Sequence, residues 1–475
     1  MKKIDYQKLE KQLKLEKKSC WEIWDEKTKK EAFDFTEGYK NFISESKTER
    51  EAVENGIKLV KEHGFIDIKE AKLLKAGDKI YTVNRDKSLF LARIGKQGLD
   101  KGMKIIMSHI DSPHLDFKIN PFYEDENLAF AKTHYYGGIK KYQWPTISLA
   151  LHGVVYLENG KKINIKIGEQ DDEPIFMITD LLPHLDRSID SGGKAEYHKI
   201  KGEELNLLLG SLPVNDKKIK EKVKLAILEY LFNKYGIKED DLASAEIQVV
   251  PSEKARDLGF DRSLISAYGQ DDKACAYSSL MSFLDAKVVD QTQICVWTDR
   301  EEIGSDGNTS TQSLFFESFM LDILKLSQNK GGLEEVYHSY NISQAISADV
   351  TVAVDPDYKD VYDLRNACRM GFGLAIEKYT GHGGKYETSE ASAQFIYELK
   401  KVFNQDKNIV CQFAGGTGGK VDQGGGGTIA KYLANRNIDV VDAGIALFNM
   451  HAPLEIASKA DIYCAYLGYK AFYQG

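Results

Sequence analysis

Short apolar runs alternate with amphipathic stretches along much of the chain, and this alternation predicts an α/β fold. Lys104–Met107 is apolar enough for a strand buried on both faces, and Ala345–Val354 and Val440–Leu447 are predicted as further strands. Apolar residues recur at helical spacing over Lys47–Gly64, which ends on a glycine, and the tail Ala457–Phe472 is also predicted as a helix. Such alternation is typical of a mixed β-sheet flanked by helices.

The segment from residue 115 to 245 has a different character. Ile147–Leu157 has the pattern of a strand, and Ile219–Tyr235 that of a long helix. Few residues in this segment are candidates for chemistry. We therefore predict an inserted, β-rich domain at 115–245, which divides a core domain into 1–114 and 246–475.

The composition of the 475 residues is that of a soluble globular protein, with 42% hydrophobic and 29% charged residues. The formal net charge of -8 argues against nucleic-acid binding, which usually requires a basic surface. The lysine-rich start, Met1–Lys18, has no apolar core of a signal peptide, and no apolar run approaches the length of a membrane span. We expect a cytoplasmic protein.

The six cysteines are scattered and form no Cys-x-x-Cys pair. This spacing makes a zinc site built from thiolates improbable. Scattered thiols also fit a reducing compartment.

Polar clusters follow several of the predicted strands. The clusters are Ser108–Pro113, Gln270–Asp272, Thr298–Ser305, Ser347–Asp349 and Asn449–Pro453. Their imidazole and carboxylate groups suit zinc, and also manganese or cobalt.

Two of these clusters contain pairs with complementary roles. In the His-x-Asp step, Asp111 can accept the ring N–H of His109, which would fix its tautomer and raise its basicity. The tandem acids Glu301 and Glu302 offer one carboxylate for a metal ion and one for proton transfer. Acids beside buried strands are costly unless they are paired or bind metal. Residue chemistry alone therefore leaves open a structural ion-pair network as the alternative.

The order of these motifs resembles that of the aspartyl and vacuolar-type family of dinuclear zinc aminopeptidases. The resemblance covers nearly the whole chain. It includes the segments LEKKSCWE, KTERE, SHIDSP, GQDDKACAYSSL, DREEIGS, SADVTVAVDP, GKYETSEAS and FNMHAPLEIASKAD. So many matches in the same order make it specific.

The resemblance implies a role for each matching position. It implies two divalent metal ions per subunit, zinc first and manganese or cobalt as alternatives, bridged by Asp271. One ion would be completed by His109 and Asp349, and the other by Glu302 and His451. Glu301 would be the general base, and Asp111 would orient His109.

The resemblance also implies an assembly. The inserted domain of the family mediates pairing of subunits and lends a histidine to the neighbouring active site. His184, after Pro183, matches that contributor, which makes it a candidate for stabilising the transition state. The family commonly forms tetrahedral particles of twelve subunits, built from dimers.

Some positions depart from the aspartyl-specific branch. Asp272 stands where that branch has asparagine, and the residues 350–358 after Asp349 contain no histidine. The pattern resembles a bacterial subgroup, and a strict preference for acidic N-terminal residues becomes doubtful. The preferred N-terminal residue therefore stays open.

The predicted reaction is hydrolysis of the first peptide bond. Two metal ions about 3.5–4 Å apart can hold one water and lower its pKa toward about 7. Glu301 would take the proton of that water and later pass it to the leaving amine. Lys378 is a candidate partner for a substrate carboxylate, although a solvated lysine is an equal alternative.

The glycine-rich stretch Gly415–Lys420, with Gly424–Gly427 after it, invites comparison with a phosphate-binding loop. It does not match, because Ala414 stands where the motif needs glycine and Val421 where it needs serine or threonine. We interpret it as backbone that approaches substrate closely, with a flexible turn as the alternative.

Two other functional classes compete with the aminopeptidase. A metallo-carboxypeptidase or amidohydrolase would use similar chemistry, but its extra domain usually follows the Glu pair, whereas here the insertion precedes Asp271. A non-catalytic scaffold would be expected to lack Glu301 or a metal ligand, and all of these are present.

Overall fold

A computed structural model describes residues 5–99, 101–186, 188–189, 195–196, 198–328 and 331–475. In this part of the chain the fold is mixed α/β, as the sequence predicts. The α-helices are α1 Tyr6–Leu13, α2 Cys20–Ile23, α3 Glu26–Ser44, α4 Glu49–Glu62, α5 Pro183–Asp186, α6 Lys222–Tyr235, α7 Gln270–Asp285, α8 Phe315–Gln328, α9 Leu333–Tyr340, α10 Ala393–Phe403, α11 Ala430–Ala434 and α12 Lys459–Gln474.

The β-strands of the same described residues form several sheets. In chain order they are β1 Ile66–Asp67, β2 Lys79–Asn84, β3 Ser88–Arg93, β4 Met103–His109, β5 His114–Asp125, β6 Leu128–Tyr136, β7 Leu149–Tyr156, β8 Lys162–Ile167, β9 Met177–Ile178, β10 Ser188–Ile189, β11 Ala195–Glu196, β12 Leu207–Gly210, β13 Ala245–Pro251, β14 Arg256–Leu258, β15 Leu264–Ala267, β16 Thr292–Thr298, β17 Gln344–Ser347, β18 Thr351–Val352, β19 Leu374–Glu377, β20 Gly381–His382, β21 Cys411–Ala414, β22 Gly425–Gly426, β23 Asp439–Gly444, β24 Ala446–Phe448 and β25 Glu455–Ser458.

The largest sheet has nine strands in the order β1-β2-β3-β16-β4-β17-β23-β19-β21. Its centre, β16-β4-β17-β23, is parallel, and every residue of β4 and β16 is buried. Alternate side chains of β4 face opposite cores, since Ile106 packs with α3, α7 and α12 while Ile105 packs with α8, α9 and α11. Helices on both faces explain why these strands are buried along their whole length.

A second sheet is antiparallel and has the order β8-β7-β13-β5-β6-β12-β9. All seven strands come from residues 114–251. Its core includes Leu115, Leu151, Ile167 and Val249, and Leu231 of α6 packs against them. The bounds of the inserted domain, 115 and 245, stay a prediction.

A third sheet, β14-β15-β25-β24-β18, adjoins the nine-stranded sheet. Two strands predicted from the sequence are too long, because each of them corresponds to two shorter strands in the structure. Ala345–Val354 and Val440–Leu447 each divide between the two sheets, as β17 with β18 and as β23 with β24. The crossing is tight, because a Cβ on Gly444 would lie 1.8 Å from the carbonyl oxygen of Asp349.

The helices largely follow the sequence pattern. The predicted helix at Lys47–Gly64 is α4, which begins after Thr48 in a capping box with Glu51 and ends before Gly64, whose φ is +80°. Within the part of the chain that the structure describes, no helix has the length and apolar character needed to cross a membrane.

Candidate metal centre

The polar clusters of the sequence meet where the nine-stranded sheet adjoins the third sheet. His109 is the last residue of β4, Asp349 follows β17, and Glu302 lies in a short 3-10 helix after β16. Side chains that follow neighbouring parallel strands meet at one edge of the sheet. Asp271 comes from the start of α7 and His451 from the turn between β24 and β25. The centre therefore combines residues that follow strands of the nine-stranded sheet with residues from α7 and from a turn of the third sheet.

Asp271 lies between two histidines. Its Oδ1 is 3.2 Å from His109 Nε2, and its Oδ2 is 3.3 Å from His451 Nε2. His451 Nε2 is also 3.3 Å from Glu302 Oε2, whereas His109 Nε2 is 3.8 Å from Asp349 Oδ1. The distances group His109 with Asp349 and His451 with Glu302, on either side of Asp271.

The donor set fits a metal ion. Among the described residues, His109 Nε2, Glu302 Oε1 and Asp272 Oδ1 are buried without a hydrogen-bond partner, which is unusual for polar atoms in a folded interior. Burial raises the pKa of Glu302 and Asp349 well above the usual range, and neighbouring carboxylates raise it further. A cation relieves this repulsion, and imidazole with carboxylate oxygen is a ligand set that zinc accepts.

Asp111 connects one histidine to the Glu pair. The ring N–H at Nδ1 of His109 donates to the backbone carbonyl of Asp111 at 3.0 Å, and the Asp111 carboxylate lies 3.3 Å from the same nitrogen. The two carboxylate oxygens accept the backbone N–H groups of Glu301 at 3.1 Å and Glu302 at 3.2 Å. Asp111 therefore positions the 3-10 helix as well as His109.

Glu301 lies at the rim of this cluster. Its Oε2 is 4.0 Å from His109 Nε2. Burial raises its pKa to about 7; the positive charge of His109 opposes this shift, and the negative charge of Asp111 adds to it. A carboxyl group with a pKa near neutrality can both accept and release a proton at physiological pH.

A cavity of about 840 Å³ opens beside the cluster. Asp271, Glu301, Glu302, Asp349 and His451 form one wall. The remaining lining comes largely from the loop after the 3-10 helix, from residues 425–428 and from α11, and includes Asp306, Gln312, Glu387, Gly425, Gly426, Gly427, Thr428, Lys431 and Tyr432. Gly425, Gly426 and Gly427 thus border the cavity, whereas the close approach of this backbone to a substrate stays a prediction.

Two predicted residues lie away from the cluster. His184 is exposed on α5, within the segment predicted as the inserted domain. Lys378 Nζ lies 3.8 Å from Glu390 Oε1, and Lys378 does not appear among the described residues that line the cavity.

Two residues next to the ligands had no predicted role. Glu455 accepts the backbone N–H of Asp271 at 3.0 Å and that of His451 at 2.8 Å, so one buried carboxylate joins a candidate ligand at the start of α7 to one in the turn between β24 and β25. Asp272 accepts the backbone N–H of His109 at 3.3 Å, and one of its oxygens lies within 4.8 Å of ligand atoms of His109 and Asp349. The sequence signal for Glu455 was its position four residues after His451.

Comparison with known proteins assigns the chain to a family. The profile of the aminopeptidase I zinc metalloprotease family (M18) matches residues 42–473. The chain belongs to the M18 family. An M18 relative from Borrelia garinii subsp. bavariensis, named "Probable M18 family aminopeptidase 1", is 46% identical over 462 residues, which are 97% of this chain and 100% of the relative.

Solved M18 structures share the fold. The crystal structure of an M18 aminopeptidase from Thermotoga maritima superposes with a TM-score of 0.92 at 43% identity and covers 97% of this chain and 100% of its own. The structure of the Saccharomyces cerevisiae mApe1 dodecamer has a TM-score of 0.72 at 18% identity, with 93% and 96% of the two chains covered. At that identity the likeness shows the fold alone.

Membership of the M18 family makes this protein a peptide hydrolase, a zinc metalloaminopeptidase. This favours the aminopeptidase over the carboxypeptidase, amidohydrolase and scaffold alternatives. The resemblance in sequence motifs to dinuclear zinc aminopeptidases is thereby confirmed at the level of the family.

Proposed function

We propose that this protein removes the N-terminal residue from peptides, with two metal ions held by His109, Asp271, Glu302, Asp349 and His451. The observation that carries the proposal is the position of Asp271, whose two carboxylate oxygens face His109 and His451 separately. A carboxylate shared in this way suits a two-metal site. Zinc is the first candidate for both ions, with manganese or cobalt as alternatives.

The residues divide the work of hydrolysis. When bound, the metal ions supply Lewis acidity to the scissile carbonyl and lower the pKa of the attacking water. Glu301 takes a proton from that water at Oε2 and returns it to the nitrogen of the leaving amine. The pKa of about 7 of Glu301 supports both transfers. Asp111 holds the backbone of Glu301 in place through a 3.1 Å hydrogen bond.

The proposed metal ions support cleavage at the amino end. Four carboxylates, those of Asp271, Glu301, Glu302 and Asp349, share the cavity wall with one histidine, and two divalent ions would offset their charge. A catalytic metal site keeps one position open, which would accept the free α-amino group of a peptide.

The remaining lining supports a preference for neutral or basic N-terminal side chains. Asp306 and Glu387 border the cavity, and among the described residues that line it Lys431 is the one lysine or arginine. No Lys, Arg or His among the described residues lies within 4.0 Å of the carboxylate of Asp306 or Glu387. An acidic substrate side chain would meet two uncompensated carboxylates.

The assembly belongs to the same proposal. A relative with this fold is a dodecamer, and we propose the same assembly, built from dimers, for this chain. Exposed leucines surround His184, with Leu181 and Leu182 at 48% and Leu185 at 71% exposure. An apolar surface of this kind supports burial against another subunit, where His184 would reach the neighbouring site.

Two further assignments complete the proposal. All six cysteines are free thiols, which supports the reducing cytoplasm as the place of action. Lys378 stays a proposed partner for a substrate carboxylate, in competition with Glu390.

The test measures free amino acids released from peptides X-Ala-Ala, where X is Asp, Glu, Leu, Lys or Met, and from N-acetylated controls. Cleavage should require zinc, manganese or cobalt, stop with chelator, and spare the acetylated peptides. Glu301→Gln should keep its zinc and lose about 10²–10⁴-fold in kcat. Glu335→Gln, which changes an exposed carboxylate of α9, should match the wild type. Equal cleavage of acetylated peptides, or an active Glu301→Gln variant, would contradict the proposal.

A further inference from the structure

The end of strand β6 reaches from the seven-stranded sheet into the metal centre. Tyr136, its last residue, donates its hydroxyl to Asp111 Oδ2 at 2.8 Å. The same carboxylate accepts the backbone N–H groups of Glu301 and Glu302 and lies beside His109 Nδ1. Each donor restricts rotation of the Asp111 side chain, so Tyr136 helps to fix the group that orients both His109 and the Glu pair.

Gly138, two positions after Tyr136, contacts His451, the second histidine of the centre. His451 Nδ1 lies 3.0 Å from the backbone carbonyl oxygen of Gly138. A carbonyl oxygen only accepts, so Nδ1 carries the hydrogen and donates it. Nε2 of His451 then presents its lone pair toward Asp271 and Glu302. Gly138 thereby selects the tautomer of His451 that can bind a metal ion.

Close packing explains the two glycines after Tyr136. A Cβ on Gly137, whose φ is +74°, would lie 3.2 Å from Pro113 Cγ and 3.4 Å from Glu302 Cβ. A Cβ on Gly138 would lie 3.3 Å from His451 Nδ1. Larger residues would push this segment away from the centre.

The ring of Tyr136 is itself held in place. It stacks on the His114 ring with 4.5 Å between centroids and an angle of 18° between planes. His114 is fixed in turn by the carbonyl of Ser112 at 2.7 Å and by Asp116 Oδ1 at 3.0 Å. The hydroxyl of Tyr136 therefore meets Asp111 from a rigid support.

We propose that Tyr136 and Gly138 are positioning residues through which the seven-stranded sheet sets the metal affinity of the centre. This inference rests on the proposed function, since it takes His109, Glu302 and His451 as ligands. It gives the inserted segment a task beyond pairing of subunits: Tyr136 acts through Asp111, and Gly138 acts through His451.

The test compares Tyr136→Phe with Tyr135→Phe in the full-length protein. Tyr136→Phe removes one hydroxyl, whereas the ring of Tyr135 stacks on His134 and is 38% exposed. Zinc affinity is measured by competition with a chromophoric chelator, together with kcat, KM and Tm. Tyr136→Phe should raise the zinc dissociation constant about 10–100-fold and lower kcat with little change in KM or Tm. Tyr135→Phe should leave all four quantities at their wild-type values.

Gly138→Ala tests the same proposal independently, through its zinc affinity, if Tyr136→Phe folds poorly. The added methyl group meets His451 Nδ1, so zinc affinity should fall, whereas Gly332→Ala, before α9, should leave it unchanged. Wild-type zinc affinity and kcat in both Tyr136→Phe and Gly138→Ala would overturn the positioning role alone. A wild type that binds zinc without cleaving peptides would overturn the proposed function, while the zinc affinities of the variants would still decide the positioning role. A wild type that binds no zinc would overturn both.

Discussion

Lys47 and Glu169 form a buried ion pair, with 2.6 Å between Nζ and Oε1 and side chains that are 2% and 3% exposed. Lys47 precedes α4, which packs on the nine-stranded sheet, and Glu169 follows β8 of the seven-stranded sheet. Lys47 Nζ also donates to the carbonyl of Pro251 at 2.7 Å. The pair therefore joins the two sheets in the interior, at a distance from the metal centre.

Lys47→Met should destabilise the fold, because it removes the buried lysine that Glu169 shares with His152 and the donor to the carbonyl of Pro251. We expect a loss of about 3–5 kcal/mol in the free energy of unfolding, measured by urea denaturation. Lys166→Met, which removes a more exposed lysine paired with Glu45, should cost less than about 1 kcal/mol. The double variant Lys47→Met/Glu169→Leu should recover only part of the loss, because the buried Nε2 of His152 then lacks its partner. Equal stability of Lys47→Met and the wild type would contradict this account.

His152 beside that pair should make stability depend on pH. Burial alone would lower the pKa of His152, but hydrogen bonds to Glu169 at 2.9 Å and Glu51 at 2.7 Å outweigh burial and raise it. Lys47 is the opposing charge on the same Glu169. The folded state thus holds the proton more tightly than the unfolded chain, whose histidine has a pKa of about 6.5.

The stabilisation from His152 should be complete below about pH 6.5 and disappear as the pH rises through the raised pKa. The difference in Tm between wild type and His152→Gln should therefore shrink from pH 6 to pH 9. His338→Gln, an exposed histidine of α9, should show no such trend. A Tm difference that stays constant with pH would count against a charged His152.

Asp306 and Glu387 should set the preference for the N-terminal side chain. Removing either charge, as Asp306→Asn or Glu387→Gln, should lower kcat/KM for Lys-Ala-Ala about two- to fivefold relative to Leu-Ala-Ala, the range of an exposed charge contact. The effect should weaken at high salt. Asp360→Asn, outside the cavity, serves as the control. An unchanged Lys-to-Leu ratio in both variants would argue against this recognition.

Removal of one histidine should affect one of the two proposed ions more than the other. His451→Ala should bind about one zinc ion fewer than the wild type, since His451 contacts Asp271 and Glu302 but lies outside the cluster of His109 and Asp349. Zinc content after dialysis measures this. Because zinc bound to the folded state stabilises it, the zinc-dependent rise in Tm should also diminish. His382→Ala, an exposed histidine of β20, should keep the full zinc content.

Local patterns predicted β4, because its apolar residues 105–107 run directly into Ser108 and His109. They did not predict where the strands β17 and β23 end. The apolar pattern continues through Asp349 and Gly444 into the third sheet, and only the contact between these two residues marks the crossing. Such a contact joins positions far apart in the chain and has no local signature.

The residues that support the ligands were missed for the same reason. His451 and Gly138 are separated by 313 positions, and Glu455 and Asp271 by 184. The sequence of the inserted segment shows few candidates for chemistry, because Tyr136 and Gly138 contact the centre through one hydroxyl and one backbone carbonyl. Neither group stands out in a sequence.

The centre draws on residues from His109 to His451, and the last of them lies between strands of the third sheet. A chain under synthesis therefore lacks the fifth proposed ligand until residue 451 has been added. Glu455, which holds Asp271 and His451 together, follows later still. We therefore expect a ribosome-bound fragment that ends before these residues to lack peptidase activity.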